Sequence, residues 1–171
     1  MIVRLAAEES AKLPSRGQVA VRLSFGGRTF QTVLEPDGRS GHWFDIPDAH
    51  RRAAGLRAGM AASFEIAPTD TWPEPHVPED VRDALDAAPG DVWDLWRRIT
   101  PMARWEWVRW VNATRNPDTR RRRVDVTISK LEHGKRRPCC FNLSSCTDPE
   151  LSKSGVLVAP ALSSGPGPAA R

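Results

Sequence analysis

Three groups of side chains in this sequence have the types and spacing to do chemistry. Cys139, Cys140 and Cys146 crowd into one short segment behind Arg136-Arg137-Pro138. Neighbouring cations stabilise the thiolate, the reactive form of cysteine. With His133, the three thiols supply four potential metal ligands. Metal binding is nevertheless not the expected use. The segment has no C-x-x-C pair, and adjacent cysteines in an extended chain point to opposite sides and rarely reach one ion. Buried or bystander thiols are the first reading and a redox switch the second.

The next group combines aromatic rings with a guanidinium. At about 100° per residue, Ala103, Trp107, Trp110 and Val111 gather on one helical face, with Val108 at its border. Trp107 and Trp110 are therefore expected in the core. Trp105 points away from that face, towards Arg109 and Asn112. An aromatic ring beside a guanidinium can hold a planar or anionic ligand. Trp43 raises the same question, because it alternates out of register with Phe44 and Ile46 and so lies on the other face of its strand. Trp43, Trp105 and Arg109 are the candidate ligand-binding residues.

The last group is the run Arg120-Arg121-Arg122-Arg123. Residues 119–137 hold eight bases and two acids, whereas residues 65–94 hold nine acids and one base. A basic run can attract nucleic acid. It can equally face the chain's own acidic segment or be a solvated helix face, and these readings take precedence. Four consecutive positions splay around a helix, so they cannot all meet one ligand. Cations at a helix N-terminus also oppose the macrodipole, by about 0.3–1 kcal/mol each when exposed, so internal carboxylates or a partner must favour them there.

The familiar catalytic patterns are missing. There is no glycine-rich phosphate loop, no H-E-x-x-H and no nucleophile elbow. No catalytic residue, cofactor or metal is assigned. The start of the sequence lacks a basic leader followed by an apolar run, and no apolar stretch is long enough to span a bilayer. Three cysteines in one segment do not resemble a secreted disulfide framework. The expectation is a cytoplasmic protein without membrane insertion.

These residues must be positioned by two kinds of element. Residues 18–35 read as a β-hairpin, with Val19, Val21, Leu23 and Phe25 on one face and Gly26-Gly27 as the turn. A further strand over 42–46, a short helix over 48–54 stopped by Gly55, and a last strand carrying Met60, Ala62, Phe64 and Ile66 on one face suggest a small barrel. Residues 2–5 can add an edge strand. Pro68, Pro73, Pro75 and Pro78 mark a strap, with Trp72 expected to anchor it. Helices are expected over 79–87, over 92–99 capped by Asp91, and near 101–115 and 117–133. The last two start at Thr100-Pro101 and Asn116-Pro117, each a capping side chain followed by proline. A small turn follows at Asp148-Pro149-Glu150. The expected fold class is α+β, a small N-terminal β-barrel followed by a helical segment. The expected boundaries are 1–67 for the barrel, 68–78 for the linker, 79–160 for the helical domain with its cysteine-containing extension, and 161–171 for a flexible tail.

Two stretches carry a resemblance. Residues 17–66, "GQVAVRLSFGGRTFQTVLEPDGRSGHWFDIPDAHRRAAGLRAGMAASFEI", resemble the small β-barrel domain of unknown function that often precedes a YdeI/OmpD-associated helical domain. Residues 100–140, "TPMARWEWVRWVNATRNPDTRRRRVDVTISKLEHGKRRPCC", resemble that second domain. The resemblance implies an association with protection against bacteriocins and antimicrobial peptides, and it implies no catalytic residues. The reading is thus a non-enzymatic binding or stress-protection protein that holds a small molecule or peptide between barrel and helices. A cysteine-based redox or metal-responsive protein, and a nucleic-acid binder acting through the Arg run, are the alternatives.

Overall fold

The computed structural model describes residues 1–139 and 142–158. Strand β1 (Ile2–Arg4) and a short helix α1 (Ala7–Ala11) lead into β2 (Val19–Phe25) and β3 (Arg28–Pro36). Gly26 and Gly27, at φ 56° and 72°, make the two-residue turn between them. Two successive positive φ values match the twist of the flanking strands and set the register, from Phe25 opposite Arg28 to Val19 opposite Leu34. Then come β4 (His42–Asp45), α2 (Asp48–Ala53) and β5 (Glu65–Pro68). The five strands form one antiparallel sheet in the order β1-β4-β3-β2-β5.

The sheet is open, which corrects the expected barrel. β1 and β5 lie at opposite ends of the order and each pairs with a single neighbour among the described residues. Closure requires every strand to tilt and stagger around an axis. A three-residue β1 and a four-residue β5 offer too little backbone for it. The last strand is also shorter than its alternation suggests. Pairing begins at Glu65, and Met60 stands 57% exposed. Ala58, Ala61 and Ala62 dominate the unpaired stretch, and alanine fits poorly on a pleated surface.

One face of the sheet is packed, and the other is covered around β4 but leaves Arg22, Thr29 and Gln31 exposed. Val21, Leu23, Leu34, Phe44 and Ile46 pack on one side with Leu13 and Leu56. Trp43, one residue out of phase with Phe44, packs on the other side with Cys146 and Leu157.

The C-terminal half holds α3 (Glu79–Ala87), α4 (Gly90–Arg98), α5 (Pro101–Asn112) and α6 (Pro117–Glu132). Thr100 Oγ1 accepts the Ala103 N–H at 3.2 Å, and Asn116 Oδ1 accepts the Thr119 N–H at 2.9 Å. Proline at the next position costs no hydrogen bond, because that N–H has no partner within the helix. Asp91 does not cap α4. Pro89 holds that position, and Asp91 sits in the first turn, where a carboxylate suits the macrodipole. Leu85, Trp96, Trp107, Val111 and Leu131 knit the four helices into a second core. Finally β6 (Ser152–Lys153) and β7 (Val156–Leu157) form a small hairpin that sequence periodicity is too short to reveal. Its Leu157 N–H donates to Asp37 O at 2.8 Å, which brings it onto the β3–β4 turn. The expected tail, 161–171, lies outside the described residues.

Candidate functional site

Helix α5 is the backbone of the site, and two of its side chains tie it to the proline strap. The Arg104 guanidinium donates to both carboxylate oxygens of Glu74, at 2.9 and 2.6 Å. Its Nη1 also donates to the carbonyls of Trp96 and Ile99, which have no partner of their own at the end of α4. Trp105 Nε1 donates to Pro73 O at 2.7 Å. The indole is thereby held in one orientation, with its ring half-buried.

One turn further along, Arg109 crosses to the sheet. Its Nε lies 3.0 Å from Glu35 Oε2, Nη1 donates to Leu143 O at 3.3 Å, and Nη2 donates to Ser145 O. Gln18 Nε2 donates to the other Glu35 oxygen at 2.7 Å. The guanidinium is 4% exposed and the carboxylate 17%, so water screens this pair little. Burial pushes the Glu35 carboxyl upwards, opposed by Arg109 and Gln18. Burial likewise pushes Arg109 downwards, opposed by Glu35. The donors that the sequence offered to a ligand are thus directed at the protein itself.

Between these elements lies an open cleft of about 140 Å³. Trp43, Trp105 and Arg109, from a strand and a helix far apart in sequence, all line it. So do Glu35, Val108, Asn112, Thr147, Asp148 and Pro149. Sequence reasoning left out Glu35 and Asp148 as site residues. Glu35 is the cross-strand partner of Trp43, a relation that needs the β3–β4 pairing to be known. Asp148 carries a turn signal only. Its Oδ1 accepts the N–H groups of Glu150 and Leu151 at 2.8 and 3.1 Å.

Residues 74–134 match the family described as "Bacteriocin-protection, YdeI or OmpD-Associated", and residues 1–66 match the domain of unknown function DUF1905. Over residues 74–134 the chain is similar to the YdeI/OmpD-associated family. No curated protein and no solved structure matches it. The cleft lies where the two matched stretches meet. Glu35 and Trp43 come from the first, and Trp105, Val108, Arg109 and Asn112 from the second. Thr147, Asp148 and Pro149 belong to neither.

The other candidates are dispersed. Cys146 is buried against Trp43 and Leu157, and that burial pushes its thiol up, away from the reactive thiolate. Cys139 is exposed, with Lys130 Nζ at 3.4 Å from its sulfur. Cys140 lies outside the described residues. Among the described residues no three His, Cys, Asp or Glu side chains assemble as a metal site.

The arginine run is divided. Arg120 forms a two-point pair with Asp80, whose carboxyl it holds below its usual range. Arg123 lies over the Trp110 ring at 5.4 Å and donates to Trp110 O. Arg121 and Arg122 are exposed.

A Ser–His contact is present as well. His42 Nε2 donates to Gly17 O at 2.9 Å, which makes Nδ1 the acceptor for Ser10 Oγ at 2.7 Å. Both residues are almost fully buried and neither lines the cleft, so the pair pins α1 to β4.

Proposed function

We propose that this chain is a binding protein without a catalytic centre, whose cleft between sheet and α5 holds a small or peptide-like ligand. The observation that carries the reading is convergence. Two indoles from remote segments, both with their N–H groups bonded to protein carbonyls, flank one opening with apolar walls from Val108 and Pro149. Preset rings lose little entropy when they receive a ligand. The volume limits what fits. A cavity of roughly 150 Å³ accepts a benzene-sized group, so the cleft suits one ring or one side chain. The family description makes protection against bacteriocins the natural setting.

A thermal-shift screen of the purified chain against metabolites, antibiotics and short peptides tests this. A ligand specific for the folded state raises the melting temperature. Trp105→Ala should abolish the shift while leaving the chain folded. A screen with no hits, or hits indifferent to Trp105→Ala, would refute the cleft as the site.

A further inference from the structure

We infer that the cleft takes an organic cation of side-chain size, an alkylammonium or alkylguanidinium, free or carried on a peptide. This rests on the binding reading above and names its ligand class. The first support is the charge of the lining. Two carboxylates, Glu35 and Asp148, stand against one guanidinium, Arg109. Arg109 and Glu35 are matched to each other at 3.0 Å. Asp148 makes no ion pair among the described residues, and the turn N–H groups engage only its Oδ1. One negative charge therefore remains in the lining of the cleft.

The second support is the wall. Trp43 and Trp105 carry π-electron density that attracts a cation by about 0.5–2 kcal/mol, more when water is excluded. Val108 and Pro149 offer an apolar surface to an alkyl stem. An anion would meet the Asp148 carboxylate and find the Arg109 donors directed at Glu35, Leu143 and Ser145. The charge that selects the ligand thus comes from a segment outside both matched stretches.

The test titrates butylguanidinium, butylammonium, the neutral isostere pentanamide and the anion pentanoate into the full chain, following the indole N–H signals by NMR. The cations should shift the Trp43 and Trp105 signals and bind about tenfold tighter than pentanamide at low salt, a gap that narrows as salt rises. Asp148→Asn keeps an Oδ1 acceptor for the turn and removes the charge. It should erase the cation preference without changing the melting temperature by more than a degree or so. Capped lysine and arginine dipeptides, run beside the free amines, show whether a peptide backbone adds affinity. Equal binding of pentanamide or pentanoate would overturn the cation inference and leave the cleft a binding site. Cation binding that survives unchanged in Asp148→Asn would overturn it too. Failure of every compound to move either indole would overturn it outright, and the ligand screen would then decide the broader reading by itself.

Discussion

Single residues separate packing from binding in this chain. Trp107 is fully buried between helices, and Trp43 is 6% exposed against Cys146 and Leu157. Truncating a buried large aromatic costs about 3–5 kcal/mol. Trp107→Ala and Trp43→Ala should both fall in that range by urea denaturation. Trp105 is half-buried, so Trp105→Ala should cost clearly less. Equal losses at all three would make Trp105 a core residue. The helical wheel set Trp105 apart from Trp107, but it could not reveal that Trp43 both lines the cleft and fills a core. Two facing segments decide that, and the second is residues 146–157.

His42 gives a pH dependence of definite sign. Burial lowers its pKa below the ordinary value of 6.5. The unfolded chain then binds more protons than the folded one between the two values, so stability is complete above 6.5 and declines as pH falls through that window. Denaturation at pH 7.5 and 5.5 should show a larger loss for the natural chain than for His42→Gln. An equal loss would contradict the assignment. The Glu35–Arg109 pair has its own signature. Removing one partner leaves a buried charge uncompensated, at a cost of about 3–5 kcal/mol. Glu35→Leu with Arg109→Met should destabilise less than the two single substitutions summed. Additive losses in that double-mutant cycle would mean the pair is not coupled.

At the scale of elements, local chemistry set the boundaries. Thr100-Pro101 and Asn116-Pro117 were readable as helix starts because capping and a fixed φ act within a few residues. Gly26-Gly27 was readable as a hairpin turn for the same reason. Asp91 has the type of a cap but lies in the first turn, because Pro89, two positions earlier, holds the cap position. The β6–β7 hairpin had no periodicity to show, since each strand has two residues. Its docking is instead recorded at Gly38. There φ is 79°, and a Cβ would stand 2.0 Å from the Gly155 carbonyl oxygen. Gly27 has a similar φ of 72° and nothing within 4 Å of its own notional Cβ. Gly27→Ala should therefore cost only backbone strain, about 1 kcal/mol. Gly38→Ala should cost more and speed hydrogen exchange at the Leu157 amide, whose bond to Asp37 O it disturbs. Equal costs would show that the hairpin does not pack on that turn.

For the whole molecule, the sequence by itself determined the class and the kinship. Alternation, caps and prolines are short-range, so they divided the chain into a strand-rich half and a helical half, and the quoted stretches pointed to the YdeI/OmpD-associated family. Charge asymmetry also carried over. Arg120 does meet Asp80 of the acidic segment, although an exposed pair of this kind contributes little, roughly 0–1 kcal/mol. Only the tertiary structure decided the rest. Whether five strands close or stay open depends on pairing at the two ends of the sheet, which no local pattern encodes. Whether Arg109 faces a ligand or a carboxylate depends on where Glu35 arrives, 74 positions earlier in the chain. And the acid that charges the cleft, Asp148, reaches Trp43 and Trp105 because three segments fold onto one another. Such a meeting is set by the packing of apolar faces over long loops, and residue spacing along the chain carries no trace of it.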